Sequence, residues 1–134
     1  MRLAINLGMF PPYMYPNCPE LTLADMVRAA QEAEALGVEM ISMPEAPVYR
    51  EAIVPLAAMA GATKAIRLAT AVLPIGYRSP VITARSIAQL DELSGGRAIL
   101  GLGIGVRQIL ARHGIATDRP VVRLLTIWRL CGAS

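Results

Sequence analysis

Apolar residues along this chain alternate between two rhythms. Short, nearly continuous apolar runs over Arg2–Leu7, Val38–Met43, Ile66–Leu73 and Arg97–Gly103 read as strands covered on both faces. After the first of them, Leu23, Met26, Val27, Ala30, Ala33 and Leu36 fall on one helical stripe. Thr22 and Asp25 stand before it as a capping box, and Gly37 ends it. A second helix is predicted from about Glu51 to Lys64, rich in alanine so that it can sit close to a sheet. A third starts at Ser79-Pro80, runs to Leu93 and stops at Ser94-Gly95-Gly96. A brief helix over Val106–His113 and a last one, opened by Asp118-Arg119-Pro120 and running through Arg129, complete the pattern.

The strand-then-helix units begin near residues 3, 38, 66 and 97, a spacing of about 30 residues that is the rhythm of a parallel β/α barrel. A closed barrel has eight strands and about 250 residues. The 134 residues therefore predict an α/β chain of parallel (β/α) units, about four of the eight of a TIM barrel, with residues 1–134 forming its N-terminal half. Open edges at strands one and four would need covering, by a second copy in a homodimer or by a complementing half-barrel.

Composition narrows the class. The chain is 54% hydrophobic, but its longest apolar stretch, Ala52–Thr63, is broken by Pro55 and Gly61 and falls well short of the ~20 residues a membrane span needs. No membrane role is expected. The first residues carry no cleavage-site pattern and read as a strand, not a leader. Cys18 and Cys131 have no metal-ligand or CxxC spacing and read as free thiols of a cytoplasmic protein. Five arginines against Asp118 after residue 106 make the C-terminal part basic. With one lysine in the chain and no interleaved aromatics, nucleic acid is not an expected partner.

Candidate chemistry is sparse. Gly101-Leu102-Gly103-Ile104-Gly105 follows a strand but lacks the third glycine of a dinucleotide fingerprint, since position 106 is Val106. It reads as a strand exit where backbone approaches a bound ring or a neighbouring strand. Glu45, between Pro44 and Pro47, is the acid at a strand's C-terminal exit, the active face of such barrels. It is the catalytic candidate, with a helix cap or an arginine pair on the rim as its structural alternative. His113 is the sole histidine, so a Ser-His-Asp or multi-histidine metal site cannot be built, and its place before Gly114 suits a helix C-terminus. No metal is expected. The methionines, among them Met26, Met40, Met43 and Met59, fall at core positions. Glu32 and Glu34 read as surface charges, with Arg28 pairing Glu32. Asp91 reads as an anchor for Arg97 or the Ser94 turn. The proline-rich loop Met9–Pro19 would wall a pocket or act as a stiff connector.

The ordered set Ala57–Thr63, Ile66–Val72, Arg78-Ser79-Pro80, Leu90–Arg97 and Leu100–Gly105, with Ala33–Gly37 and the Arg119–Trp128 helix, resembles the bacterial luciferase-like monooxygenase family. The resemblance implies a β/α barrel that uses FMN with oxygen, or coenzyme F420 for hydride transfer, on a small organic substrate. It implies that Thr70, Ala71 and Val72 back the ring of the cofactor, often through a bulge or a non-prolyl cis bond, with Gly103 close to the same ring. Many members carry a histidine after the acid at the strand-two exit, where this chain has Ala46, a departure that tilts the resemblance toward F420. The alternative is a truncated, inactive half-barrel that only self-associates or pairs with another chain.

Overall fold

Apolar runs with no alternation need cover on both sides, and here the helices supply it on one. The computed structural model describes residues 3–8, 21–46, 50–116 and 118–132; the loop over residues 9–19 with Cys18, and Pro47, lie outside the described residues. The elements are β1 (Ala4–Asn6), α1 (Leu23–Ala35), β2 (Met40–Met43), α2 (Ile53–Ala62), β3 (Arg67–Thr70), β4 (Leu73–Pro74), α3 (Pro80–Ser94), β5 (Ala98–Ile99), β6 (Leu102–Gly103), α4 (Arg107–Arg112) and α5 (Pro120–Cys131).

All strand pairs are parallel. The main sheet runs β1-β2-β3-β5, and β4 pairs with β6 beyond it. Successive strands are neighbours and the longer helices pack on one another in order, α1 on α2, α2 on α3 and, past the short α4, α3 on α5. This is the singly wound order of a barrel, with the helices among the described residues on one face, and not a doubly wound sheet whose order reverses. Register sets Ile5, Ile41, Leu68 and Ala98 in one row that packs with Met26, Leu56, Met59 and Leu90 of the helices. Asn6, Ser42, Ala69 and Ile99 form the row on the opposite face.

The helix ends follow their residues. Thr22 and Asp25 form the capping box of α1. Ser79 caps α3 ahead of Pro80, and Gly95 closes it at φ 70°, a conformation that costs glycine little. Three expectations change. Arg28 pairs with Asp25 on its own turn rather than with Glu32. Asp118 does not cap α5: Arg119 occupies the N-cap position without a side-chain cap, and Asp118 lies 3.8 Å from Arg123. Glu34 is no idle surface charge, because its carboxylate accepts from the backbone N–H groups of Lys64, Ala65 and Ile66 at 2.6–3.1 Å.

Arg97 ties the next pair of units. Its guanidinium donates to the carbonyls of Ala60, Thr63 and Ile66 and to the Thr63 hydroxyl, so the open carbonyl end of α2 meets a cation. Asp91 does not reach Arg97: its side chain accepts from Ala98 N–H, and its carbonyl accepts from the Ser94 hydroxyl. Met26, Met43 and Met59 are fully buried as gap-filling core residues. His113 sits at the C-cap of α4 with Nδ1 2.9 Å from the Ile109 carbonyl.

Candidate functional site

Strands three and four are each expected to be continuous, and each is interrupted. The break in the third is Ala71–Val72, between β3 and β4, where the peptide bond is cis, the non-prolyl cis bond that the resemblance implies here. The break in the fourth is Leu100-Gly101, between β5 and β6. The two breaks face each other. Thr70 Oγ donates to the Gly101 carbonyl and accepts from the Gly101 N–H, both at 2.9 Å, so one buried hydroxyl serves the N–H that the interrupted ladder leaves open and is a second donor to the carbonyl of the same residue. Leu73 N–H then donates to the Gly101 carbonyl and Ile75 N–H to the Gly103 carbonyl, and pairing resumes.

The glycines of this exit are explained by that approach. A Cβ on Gly101 would run into the Thr70 carbonyl oxygen, and one on Gly103 would stand 2.5 Å from Val72 Cγ2. Of the two partners offered in the sequence reading, a ring or a neighbour, the recess over Gly103 is filled by a neighbour. Val72 itself is 43% exposed, so Val72 lying over Gly103 presents an apolar platform at the C-terminal exit of the sheet.

Glu45 stands beside that platform at the exit of β2. Its backbone N–H points to the Val72 carbonyl at 3.4 Å, and Ala71 N–H donates to the Met43 carbonyl at 2.8 Å. Its carboxylate is 6% exposed and is gripped by Arg78, whose Nη1 lies 2.7 and 2.9 Å from the two oxygens. Ala52 N–H, at the start of α2, donates to the same carboxylate at 3.1 Å. Arg78 also pairs with Glu51, which in turn accepts from Ile53 and Val54 N–H. Both structural alternatives for Glu45, helix cap and arginine partner, are therefore realised together. Burial, and then the Glu45 charge, push the neighbouring Tyr77 phenol above its ordinary range.

Sequence reading picked out Glu45, Thr70, Ala71, Val72 and Gly103, and the structure brings all five to one end of the sheet. It missed Arg78 as the partner of Glu45 and Gly101 as the partner of Thr70. The short Arg78-Ser79-Pro80 turn was a usable signal for the first, since a cation just before a helix at the next strand's exit faces the preceding exit. No spacing rule signals the second.

Residues 6–131 match the family model of luciferase-like monooxygenases. The chain belongs to that family. A protein assigned as a coenzyme F420-dependent oxidoreductase in Mycobacterium tuberculosis is 33% identical over 124 residues, 92% of this chain and 33% of its own length. The 5,10-methylenetetrahydromethanopterin reductase of Methanolobus tindarius is 34% identical over 106 residues, 79% of this chain and 32% of its own. The chain thus spans about a third of the length of these relatives. Among solved structures, the F420-dependent tetrahydromethanopterin reductase of Methanopyrus kandleri superimposes with a TM-score of 0.78 at 22% identity, over 97% of this chain and 39% of that one. The oxygenating constituent of 3,6-diketocamphane monooxygenase from Pseudomonas putida, in complex with FMN, gives 0.79 at 23%, over 97% and 38%. These likenesses establish the luciferase-like oxidoreductase family and a part of its barrel fold. No helix among the described residues is long and apolar enough to cross a membrane.

Proposed function

We propose that this chain carries one wall of the redox site of a luciferase-like oxidoreductase, as the N-terminal half of its barrel. Val72, seated on Gly103 and backed by Thr70 and Ala71, would hold one face of the ring of FMN or F420. The observation that carries this reading is the Val72 platform: an exposed apolar surface, braced from behind by the Thr70–Gly101 bonds, fits a planar ring on one side. When bound, FMN would supply oxygen chemistry or F420 a hydride; this chain's own residues would orient the ring and keep water from one side of it. F420 is favoured by Ala46 after Glu45 and by the F420 names among the relatives.

Glu45 is the carboxylate of this reading. With both oxygens engaged by Arg78, it fixes the mouth of β2 against the Val72 carbonyl, and acting on a small-molecule substrate would require it to exchange one of those bonds. The deciding experiment is equilibrium titration of the purified chain with FMN and with F420, beside a G103A variant in which Val72 is displaced. Saturable micromolar binding of either cofactor, weakened at least about tenfold by G103A, is the expected result. A folded chain that binds neither overturns the reading.

A second reading, an inactive half-barrel that self-associates or pairs with another chain, is favoured by the edges. Among the described residues β1 pairs only with β2, and β5 only with β3, so both edges of the main sheet are open to a partner strand. Light scattering that gives a dimer mass with no cofactor uptake is the result expected of it.

A further inference from the structure

The last helix, α5, is apolar nearly all round, yet Ile127 is the one side chain that it buries. A helix of that composition is normally enclosed. Trp128 is instead 66% exposed, and Val121 and Leu125 share its stripe at i, i+4 and i+7. The C-terminal end of α5 stands over strand β5, where Leu130 and Cys131 line one recess with Ala98 and Leu100. That strand is a sheet edge: among the described residues β5 pairs only with β3, and β1 at the opposite edge pairs only with β2. Ile99 on the first edge and Leu3 beside the second are both exposed.

We infer that the β5 and α5 edge of one copy docks on the β1 and α1 edge of a second copy, and that two copies so joined close one eight-stranded barrel around a twofold axis. The inference rests on the self-association reading above and names its partner and its surfaces. The main sheet has four parallel strands, half of the eight a barrel needs, so the same seam made twice closes a ring instead of extending a filament. The helix faces match this closure. In α1 the residue after buried Ala30 is Gln31, which meets α2 through the Ala62 carbonyl. In α5 the residue after buried Ile127 is Trp128. The same turn about the helix axis therefore aims the Trp128 stripe at the place of the next helix around the barrel, which α1 of a second copy would fill. The flank of α1 away from α2 carries Glu32, and Leu36 beyond it is 83% exposed. Arg129 is the tenth residue of α5 and Glu32 the tenth of α1, so helices running side by side bring the two to a similar height. Among the described residues the Glu32 carboxylate and the Arg129 guanidinium make no hydrogen bond or ion pair, and each is open to the opposite charge across the seam.

The test is analytical ultracentrifugation of the purified chain over a range of concentrations, with circular dichroism to check that each variant folds. A dimer is the expected species. W128D should weaken it at least about tenfold, whereas V54D, at a similarly exposed apolar position on α2, should leave it unchanged. E32R and R129E should each weaken it about tenfold or more by setting like charges opposite one another. An equimolar mixture of those two variants should associate again, because in their heterodimer both seams join unlike charges. Should W128D fail to fold, the mixture of the charge variants decides alone. A dimer that E32R and R129E leave intact, a mixture that does not recover, an equal loss in V54D, or assemblies larger than two chains overturns the inference while the self-association reading stands. A chain that is monomeric at every concentration overturns both and leaves these edges to a different chain.

Discussion

The Thr70 hydroxyl lies 2.9 Å from both the N–H and the carbonyl oxygen of Gly101, one residue on β3 closing a gap in the neighbouring strand. Thr70 is 2% exposed, so water cannot substitute for it. Replacing it by Val leaves the buried Gly101 N–H without a partner, its carbonyl keeping the Leu73 N–H, and should cost about 1–3 kcal/mol, while T70S should retain most of the stability. Urea unfolding of the two variants checks this; a larger loss in T70S than in T70V would mean the methyl group matters and the hydroxyl does not.

Gly101→Ala places a Cβ against the Thr70 carbonyl, backbone against backbone, with no flexible side chain to yield. A loss of about 3 kcal/mol is expected. Gly61→Ala, where nothing lies within 4 Å of the added carbon and the site is helical, should instead be neutral or stabilising by up to about 1 kcal/mol. Thermal melts of the pair separate a steric need for glycine from a general one.

Arg78 holds a carboxylate that is 6% exposed while itself 19% exposed. Arg78→Met therefore leaves Glu45 buried without its cation and should cost about 3 kcal/mol. E45Q in the same background should recover part of the loss, because an amide needs no counter-charge. Denaturation of the four corners of the cycle measures the coupling; additive losses would show that the pair is not an interacting unit.

Glu34 gives stability a definite pH dependence. Backbone donation from Ala65 first, then from Ile66 and Lys64, with Arg97 assisting, holds its carboxyl below the ordinary value of 4.5. A lowered folded-state pKa means that the unfolded chain takes up the proton first. The contribution is thus fully present above 4.5 and is lost as pH falls through the folded value. E34Q should flatten this part of the acid limb and leave the neutral region displaced by a constant amount, as read by chemical denaturation at a series of pH values.

Much of this was legible in the chain. The strand runs and helix stripes fixed the unit order because burial on two faces and burial on one stripe leave different periodicities. Thr22-Asp25 and Ser79-Pro80 marked helix starts because a cap is a local hydrogen bond between near neighbours. Illegible were the contacts made across about 30 residues, Glu34 to Ala65, Arg78 to Glu45 and Thr70 to Gly101, since each depends on which residue the next unit places opposite. Asp118 misled for a related reason: its type suits an N-cap, but Arg119 takes that position at φ 47°. The candidate residues converged on one end of the sheet because strand exits are a topological property, whereas their partners are a matter of register.

Arg97 reaches back to Ala60, Thr63 and Ile66, and Glu34 reaches forward to Ala65 and Ile66, so the start of β3 is clasped from the unit before it and the unit after it. Both clasps close on main-chain atoms, with the Thr63 hydroxyl as the added side-chain acceptor, and every amino acid but proline supplies those main-chain groups. The clasps themselves therefore ask little of the side chains at these positions, where Ala60, Thr63 and Ile66 answer to burial instead, and a segment exchanged from a distant relative would still be gripped, provided it packs there and brings the same length of chain between its glutamate and its arginine. Recombination between such genes at unit boundaries would then be screened by loop length as well as by the fit of the core.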